Sequence, residues 1–240
     1  MNRREFLEIL GIGIVGGKFV YGSIKDSIKG VREWQIYNEL PNYIYNIETE
    51  GIVEEVGKNE VKGKGILVNN HFITCVHVTD ISNVSIPTPF GIMNEKFKII
   101  SKDSFVEGNR LEELIFDEDR DIAVYKLCDW GNKKGRKEIK NFPCKPSSER
   151  YLGKKVYIVG NPRLGGKNIR NARISDLDSW NANESSEKDT KYCFGIDSQL
   201  IPGDSGTPCV SEDFELMGIN SIGTKYGISY VTKIEEFLKC

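Results

Sequence analysis

Histidine is scarce in this 240-residue chain, which holds two, and methionine and tryptophan are limited to three each. The six cysteines, at 75, 128, 144, 193, 209 and 240, include no Cys-x-x-Cys pair. That excludes a zinc ribbon and a small disulfide-built scaffold, and no metal site or cofactor is expected. Cys75 and Cys209 fall inside apolar runs and read as small buried thiols. An excess of either charge is also missing, since 33 Lys and Arg stand against 35 Asp and Glu for a formal charge of -2. The chain therefore lacks the broad positive field that holds nucleic acid. Its basic cluster of Lys133, Lys134, Arg136 and Lys137 reads as a solvated loop. No apolar run reaches the ~20 residues that a membrane-spanning helix requires.

Helical periodicity is rare as well. Ile24, Ile28 and Val31 mark a short amphipathic helix before Pro41, and a second helix is expected at 233–240. Between them, β-branched and aromatic runs alternate with turn residues at 43–47, 51–56, 65–68, 72–76, 96–100 and 122–127. The same style returns at 155–159, 168–174, 192–196, 207–210, 215–221 and 227–231. Evenly spaced short strands argue for an all-β barrel or sandwich architecture. The polar interval 130–149 splits them into two groups, which predicts two lobes with a cleft between them. The stretch 178–191 reads as a long loop.

The most informative string is Pro202-Gly203-Asp204-Ser205-Gly206-Thr207. Flanking glycines let the chain turn sharply, so that adjacent N–H groups aim at one point beside a serine hydroxyl. The string resembles the nucleophile loop of trypsin-like serine peptidases. It does not fit the Gly-x-Ser-x-Gly elbow of α/β-hydrolases, because Thr207 stands at the last position. His77 closes the apolar run Phe72-Ile-Thr-Cys75-Val76, whereas His71 lies in an Asn-Asn-His turn, so His77 is the expected base. Asp121 opens the run Asp121-Ile-Ala-Val-Tyr and resembles the family's Asp-Ile-Ala motif, leaving Asp119 as a solvated neighbour. The order His, Asp, Ser matches the family. Two further segments resemble its HtrA-like branch. They are Val156-Tyr-Ile-Val-Gly160-Asn161-Pro162 and Gly218-Ile-Asn-Ser221-Ile222-Gly223.

The resemblance covers about 43–238 and implies an antiparallel double β-barrel. The first barrel is expected at about 43–130, the interlobe linker at 131–149, the second barrel at 150–232 and the terminal helix at 233–240. It further implies a serine endopeptidase acting on polypeptides, with His77, Asp121 and Ser205 as triad and the Gly203 and Ser205 N–H groups as oxyanion hole. Ser221 would support Asp121, Asp197 would be structural, and Gln199, Leu200, Ile201, Ile222 and Gly223 would contact substrate, with an apolar side chain preferred. The other reading on the same fold is an inert peptide-binding module.

Residues 1–22 begin Met-Asn-Arg3-Arg4-Glu-Phe6-Leu7 and continue into a glycine-rich apolar stretch, which resembles a twin-arginine export signal. The expectation is a protein outside the cytoplasm, released or tethered to the membrane by this segment, with 23–42 as a helical linker. Because the sequence stops just past the expected terminal helix, the PDZ module of HtrA-like proteins is not expected. In the trypsin branch, an Asp at position 204 would pair with a terminus freed by cleavage. Ile14-Val15-Gly16-Gly17 spells such a terminus, but it lies inside the export segment, and cleavage-driven activation is not expected.

Overall fold

The computed structural model describes residues 12–15, 18–21, 24–88, 91–128, 138–160, 168–179, 192–223 and 229–238. Much of the 1–22 segment lies outside them. Within it, β1 (Ile12–Val15) and β2 (Lys18–Tyr21) pair antiparallel, with Ile12 opposite Tyr21. Among the described residues no helix is long and apolar enough to cross a membrane.

The expected N-terminal helix is α1 (Ile24–Asn38). It is followed by a single 3-10 turn over Leu40–Tyr43, where Pro41 sits in the first turn and its missing N–H costs nothing. The helix is docked onto the body of the protein. Ile36 and Leu40 are fully buried, and Glu33 accepts hydrogen bonds from the Tyr157 hydroxyl at 2.9 Å and from Lys155 Nζ at 3.3 Å. Tyr37 meets the Tyr157 ring edge-on at 6.0 Å.

The first barrel is built from β3 (Ile44–Val53), β4 (Gly57–Val68), β5 (His71–Thr74), β8 (Ile99–Val106), β9 (Asn109–Asp117) and β10 (Ile122–Leu127). They close in the order β10-β5-β4-β3-β8-β9. Asn69 and Asn70, both at positive φ, make the two-residue turn that joins Val68 to its partner His71. A separate hairpin, β6 (Asn83–Thr88) with β7 (Gly91–Lys96), branches from the chain before β8. The sequence marks out neither this hairpin nor β9, since their outward faces carry Glu, Lys, Arg and Asn. It also divides β3, which runs unbroken through Glu48 and Glu50.

The second barrel joins β12 (Lys155–Gly160), β13 (Asn168–Ser179), β14 (Cys193–Ile196), β15 (Pro208–Ser211), β16 (Glu215–Gly223) and β17 (Ser229–Thr232). The pairing of β16 with β17 closes the ring, and the short β11 (Lys145–Pro146) adds to β16 in parallel. Both expected barrels are therefore present.

Two expectations need correction. The stretch 233–238 is not a helix but a turn over 235–238, with the Phe237 N–H bonded to Ile234 O at 3.1 Å. Its shape is set by side chains: Ile234 and Phe237 are buried, and Arg150 grips Glu235 with both guanidinium nitrogens, at 2.5 and 2.7 Å. The interlobe stretch is not polar throughout either. Ile139, Phe142 and Cys144 are buried, and the Phe142 N–H bonds Leu67 O at 2.6 Å. The basic cluster at 133–137 lies outside the described residues.

Apolar side chains form three groups. One fills the first barrel around Leu67, Phe72 and Tyr125, and another fills the second around Ile158, Phe194 and Met217. The third lies between the barrels and joins Ile66, Val68, Ile73, Cys75 and Val124 of the first to Tyr157, Val159, Val210 and Ile219 of the second. Ile36, Leu40, Ile234 and Phe237 also belong to it. Strands flanking this seam are apolar on both faces, which is why Gly65–Val68 reads as a continuous run rather than an alternation.

Candidate active site

After β5 the chain leaves the sheet at Cys75 and enters a short 3-10 turn, Val76–Val78. Val76 is buried, and His77 projects with 41% of its side chain exposed. Asp121 immediately precedes β10, the strand beside β5, and is only 6% exposed. Its φ of +52 is one that Asp tolerates better than most residues. The Asp121 carboxylate lies 2.8 and 3.0 Å from His77 Nδ1, through Oδ2 and Oδ1 respectively. Oδ1 also accepts the His77 backbone N–H at 3.0 Å. From the second barrel, the Ser221 hydroxyl donates to Oδ2. The carboxylate is thus held from three directions, and the imidazole is fixed both through its ring and through its own main chain.

Ser205 lines the same cleft as His77, in the turn that leads into β15. The turn is closed by its own backbone. The Asp204 N–H bonds Ile201 O at 3.0 Å, the Thr207 N–H bonds Asp204 O at 2.9 Å, and the Gly206 N–H bonds Asn220 O at 2.9 Å. Gly203 and Gly206 take φ values of +104 and +81. Among the described residues no protein acceptor takes the N–H of Gly203 or Ser205, which leaves two donors beside the hydroxyl. The Ser205 hydroxyl itself donates to Ser221 O at 3.0 Å.

His77, Gly203 and Ser205 line one cleft of about 830 Å³. Another part of its wall is the outward face of β3 and β4, where Asn46, Glu48, Glu60, Lys62 and Lys64 recur at strand spacing. Ion pairs at 3.2 Å (Lys62–Glu48) and 2.8 Å (Lys62–Glu60) keep that wall near neutral. In the sequence, this wall is marked only by the alternating charged residues Glu60, Lys62 and Lys64.

The expected substrate residues are placed unevenly. Leu200 is 8% exposed, and its side chain joins the second barrel's core instead of a pocket. Its N–H bonds the Ser229 hydroxyl at 2.8 Å, so burial corrects the expectation of a substrate contact through that side chain. Gln199 O accepts from Arg170, and the Ile201 N–H bonds Asp204 Oδ2 at 2.8 Å. Ile222 and Gly223 pair with Tyr230 and Ser229 along one edge, past the end of the β15 ladder on the other. His71 pairs with Val68 and Lys126, outside the cleft lining. Asp197 is structural, accepting the Arg173 N–H at 2.5 Å.

Cys75, His77 and Asp121 bring ligand-type atoms within 4.8 Å of one another. The arrangement does not favour a metal. The Cys75 thiol donates to Asn220 O at 3.2 Å, and burial, reinforced by the Asp121 charge, pushes its pKa well above the ordinary thiol value. A deprotonated sulfur ligand is therefore costly there. The cysteines at 75, 128, 144, 193 and 209 are free thiols.

The chain belongs to the family of the trypsin-like peptidase domain, whose pattern matches residues 63–219. Protease Do-like 1, chloroplastic, from Arabidopsis thaliana is 27% identical over 106 residues. That match takes in 44% of this chain and 23% of the relative, less than a quarter of its length. Two solved structures share the fold. The Rv3671c protease in its inactive form aligns over 87% of this chain and 92% of its own, with a TM-score of 0.55 and 13% identity. The HtrA-type protease AlgW with tripeptide aligns over 86% of this chain and 61% of its own, with a TM-score of 0.56 and 19% identity.

Proposed function

We propose that the protein is a serine endopeptidase that hydrolyses polypeptides through His77, Asp121 and Ser205. The observation that carries this reading is the 2.8 Å pair between His77 Nδ1 and the buried Asp121, with His77 and Ser205 lining one cleft. A carboxylate at Nδ1 draws the ring proton there and leaves Nε2 as the base. Nε2 takes the Ser205 proton as Oγ attacks the peptide carbonyl, and returns it to the leaving amine. The Gly203 and Ser205 N–H groups receive the developing oxyanion, and water then releases the acyl enzyme. Ser221 holds Asp121 in place. Among the described residues, Ile222 and Gly223 have no strand partner on the side away from β17, which suits an extended peptide that adds as a strand. The segments proposed for the primary pocket, at 199–201 and 222–223, bring no acidic side chain, which favours an apolar substrate residue.

A fluorophosphonate probe tests the reading. Wild type should label at Ser205 and Ser205→Ala should not, whereas a folded but unreactive wild type overturns it. That outcome would favour the inert peptide-binding module, for which the bond from Ser205 to Ser221 O is the supporting observation. In the peptidase, rotation about the serine side chain exchanges this bond for one to His77.

Export by the twin-arginine route, and a role in clearing damaged polypeptides outside the cytoplasm as in HtrA-like relatives, complete the proposal. Replacing Arg3 and Arg4 together by Lys should retain the protein inside cells. An unchanged distribution after fractionation counts against export.

A further inference from the structure

Building on the peptidase reading, we infer that Arg170 is a positioning residue: an intrachain cation that neutralises the buried Asp204 and so holds the turn at 203–205 in its working shape. Asp204 is fully buried and adjoins the nucleophile in sequence. A carboxylate removed from water stays charged only when a cation and hydrogen bonds compensate it. Its Oδ2 accepts from Arg170 Nη2 and from the Ile201 N–H at 2.8 Å. Among the described residues, Asp204 Oδ1 and Arg170 Nε have no hydrogen-bond partner, so a single oxygen carries the whole attachment.

The other end of the guanidinium, Nη1, donates to Gln199 O. One planar fork thus grips the loop both before and after its bend, which a point-charge ammonium cannot do. Arg170 is anchored by its place inside the β13 ladder, opposite Ile158 of β12, and its side chain is 22% exposed. Asp204 passes the restraint on through its own backbone, because Thr207 donates to Asp204 O through both its N–H, at 2.9 Å, and its hydroxyl, at 2.5 Å. The geometry accounts for an acid at position 204 without a freed terminus. Its cation comes from the body of the second barrel, and the loop forms without cleavage of the chain.

Arg170→Met removes the charge and keeps an apolar stem. Loss of loop geometry should lower kcat about 100-fold, the scale of an ångström-sized displacement of reacting groups. KM should change little, so kcat and kcat/KM fall together. The double variant Arg170→Met with Asp204→Asn should recover much of the loss. The amide oxygen can still accept from Ile201, and the amide nitrogen sits where Oδ1 has no partner. Arg170→Lys should be intermediate, because it gives up the bond to Gln199. Circular dichroism and thermal melts would accompany each measurement. A role confined to packing would leave the double variant no better than the single one. A folded Arg170→Met with wild-type kcat overturns the inference, as does a double variant that regains neither folding nor activity. Fluorophosphonate labelling separates the two levels. An unlabelled wild type refutes the peptidase itself, whereas equal labelling of wild type and Arg170→Met refutes only the role of Arg170.

Discussion

Gly206→Ala tests how tightly the two barrels are fitted beside Ser205, the proposed nucleophile. Gly206 sits at φ +81, and a Cβ there would overlap the Lys64 carbonyl oxygen of the first barrel and come within 2.7 Å of Thr74 Oγ1. Thr74 already donates to that same oxygen at 2.5 Å, so the Lys64 carbonyl cannot withdraw without breaking this bond. The left-handed backbone costs roughly 1–2 kcal/mol for a non-glycine residue. Forcing a methyl group into a packed contact adds about 1–3 kcal/mol. Together these predict a loss of about 2–5 kcal/mol, which for a chain of this length is a fall in Tm of about 5–15 °C. Because the methyl group must push Ser205 away from His77, kcat should drop about 100-fold. Gly108→Ala is the matched control. It lies at φ +76 in the β8–β9 turn with nothing within 4 Å of the added atom, so it should show only the backbone cost and full activity. Urea unfolding and peptide hydrolysis measured on both variants would decide. Equal stability losses, or an undiminished kcat in Gly206→Ala, refute the argument that the barrels meet rigidly at this point.

Further outcomes are expected elsewhere. Ser221→Ala removes one of the bonds to the Asp121 carboxylate and should lower kcat/KM about 10- to 100-fold, from the ~1.5–3 kcal/mol of a hydrogen bond to a charged group, with unfolding little changed. Burial pulls the Glu235 carboxyl upward, but its hydrogen bond and ion pair with Arg150 outweigh this and hold its pKa below the ordinary value of 4.5. The stability contributed by the pair is therefore present above that value and lost as pH falls through the depressed folded-state pKa. Glu235→Gln should flatten the acid limb of a stability-versus-pH curve, and an unchanged acid limb would contradict this account. Native thiol alkylation read by mass spectrometry should modify exposed Cys128 quickly. Cys193 and Cys209, whose pKa values burial raises to about 11 and about 12, should react only on unfolding. Rapid native labelling of either would show that the barrel interior opens.

The residues of the proposed triad were legible because each stands in a string with its own logic: a turn rich in glycine, a strand end and an acid opening an apolar run. The two barrels were legible from strand spacing and the polar interval. β9 was not, because Arg110 and Glu112 on one face and Glu113 on the other break the apolar signal on which strand recognition depends. The terminal turn read as a helix because Ile234, Phe237 and Leu238 have helical spacing, yet that spacing also serves a turn pinned by Arg150, 85 residues away. Arg170 could not be singled out, since its partner is 34 residues distant and it differs from other strand arginines only in what it touches. Leu200 illustrates the opposite limit: its position along the chain is next to the site, but its side chain faces the other way.

The apolar seam between the barrels has a consequence for motion. Because α1, the terminal turn and both barrels all contribute to one apolar interior, parting the lobes would expose the side chains they share there. Heat or denaturant should take the whole body apart in a single cooperative step rather than lobe by lobe.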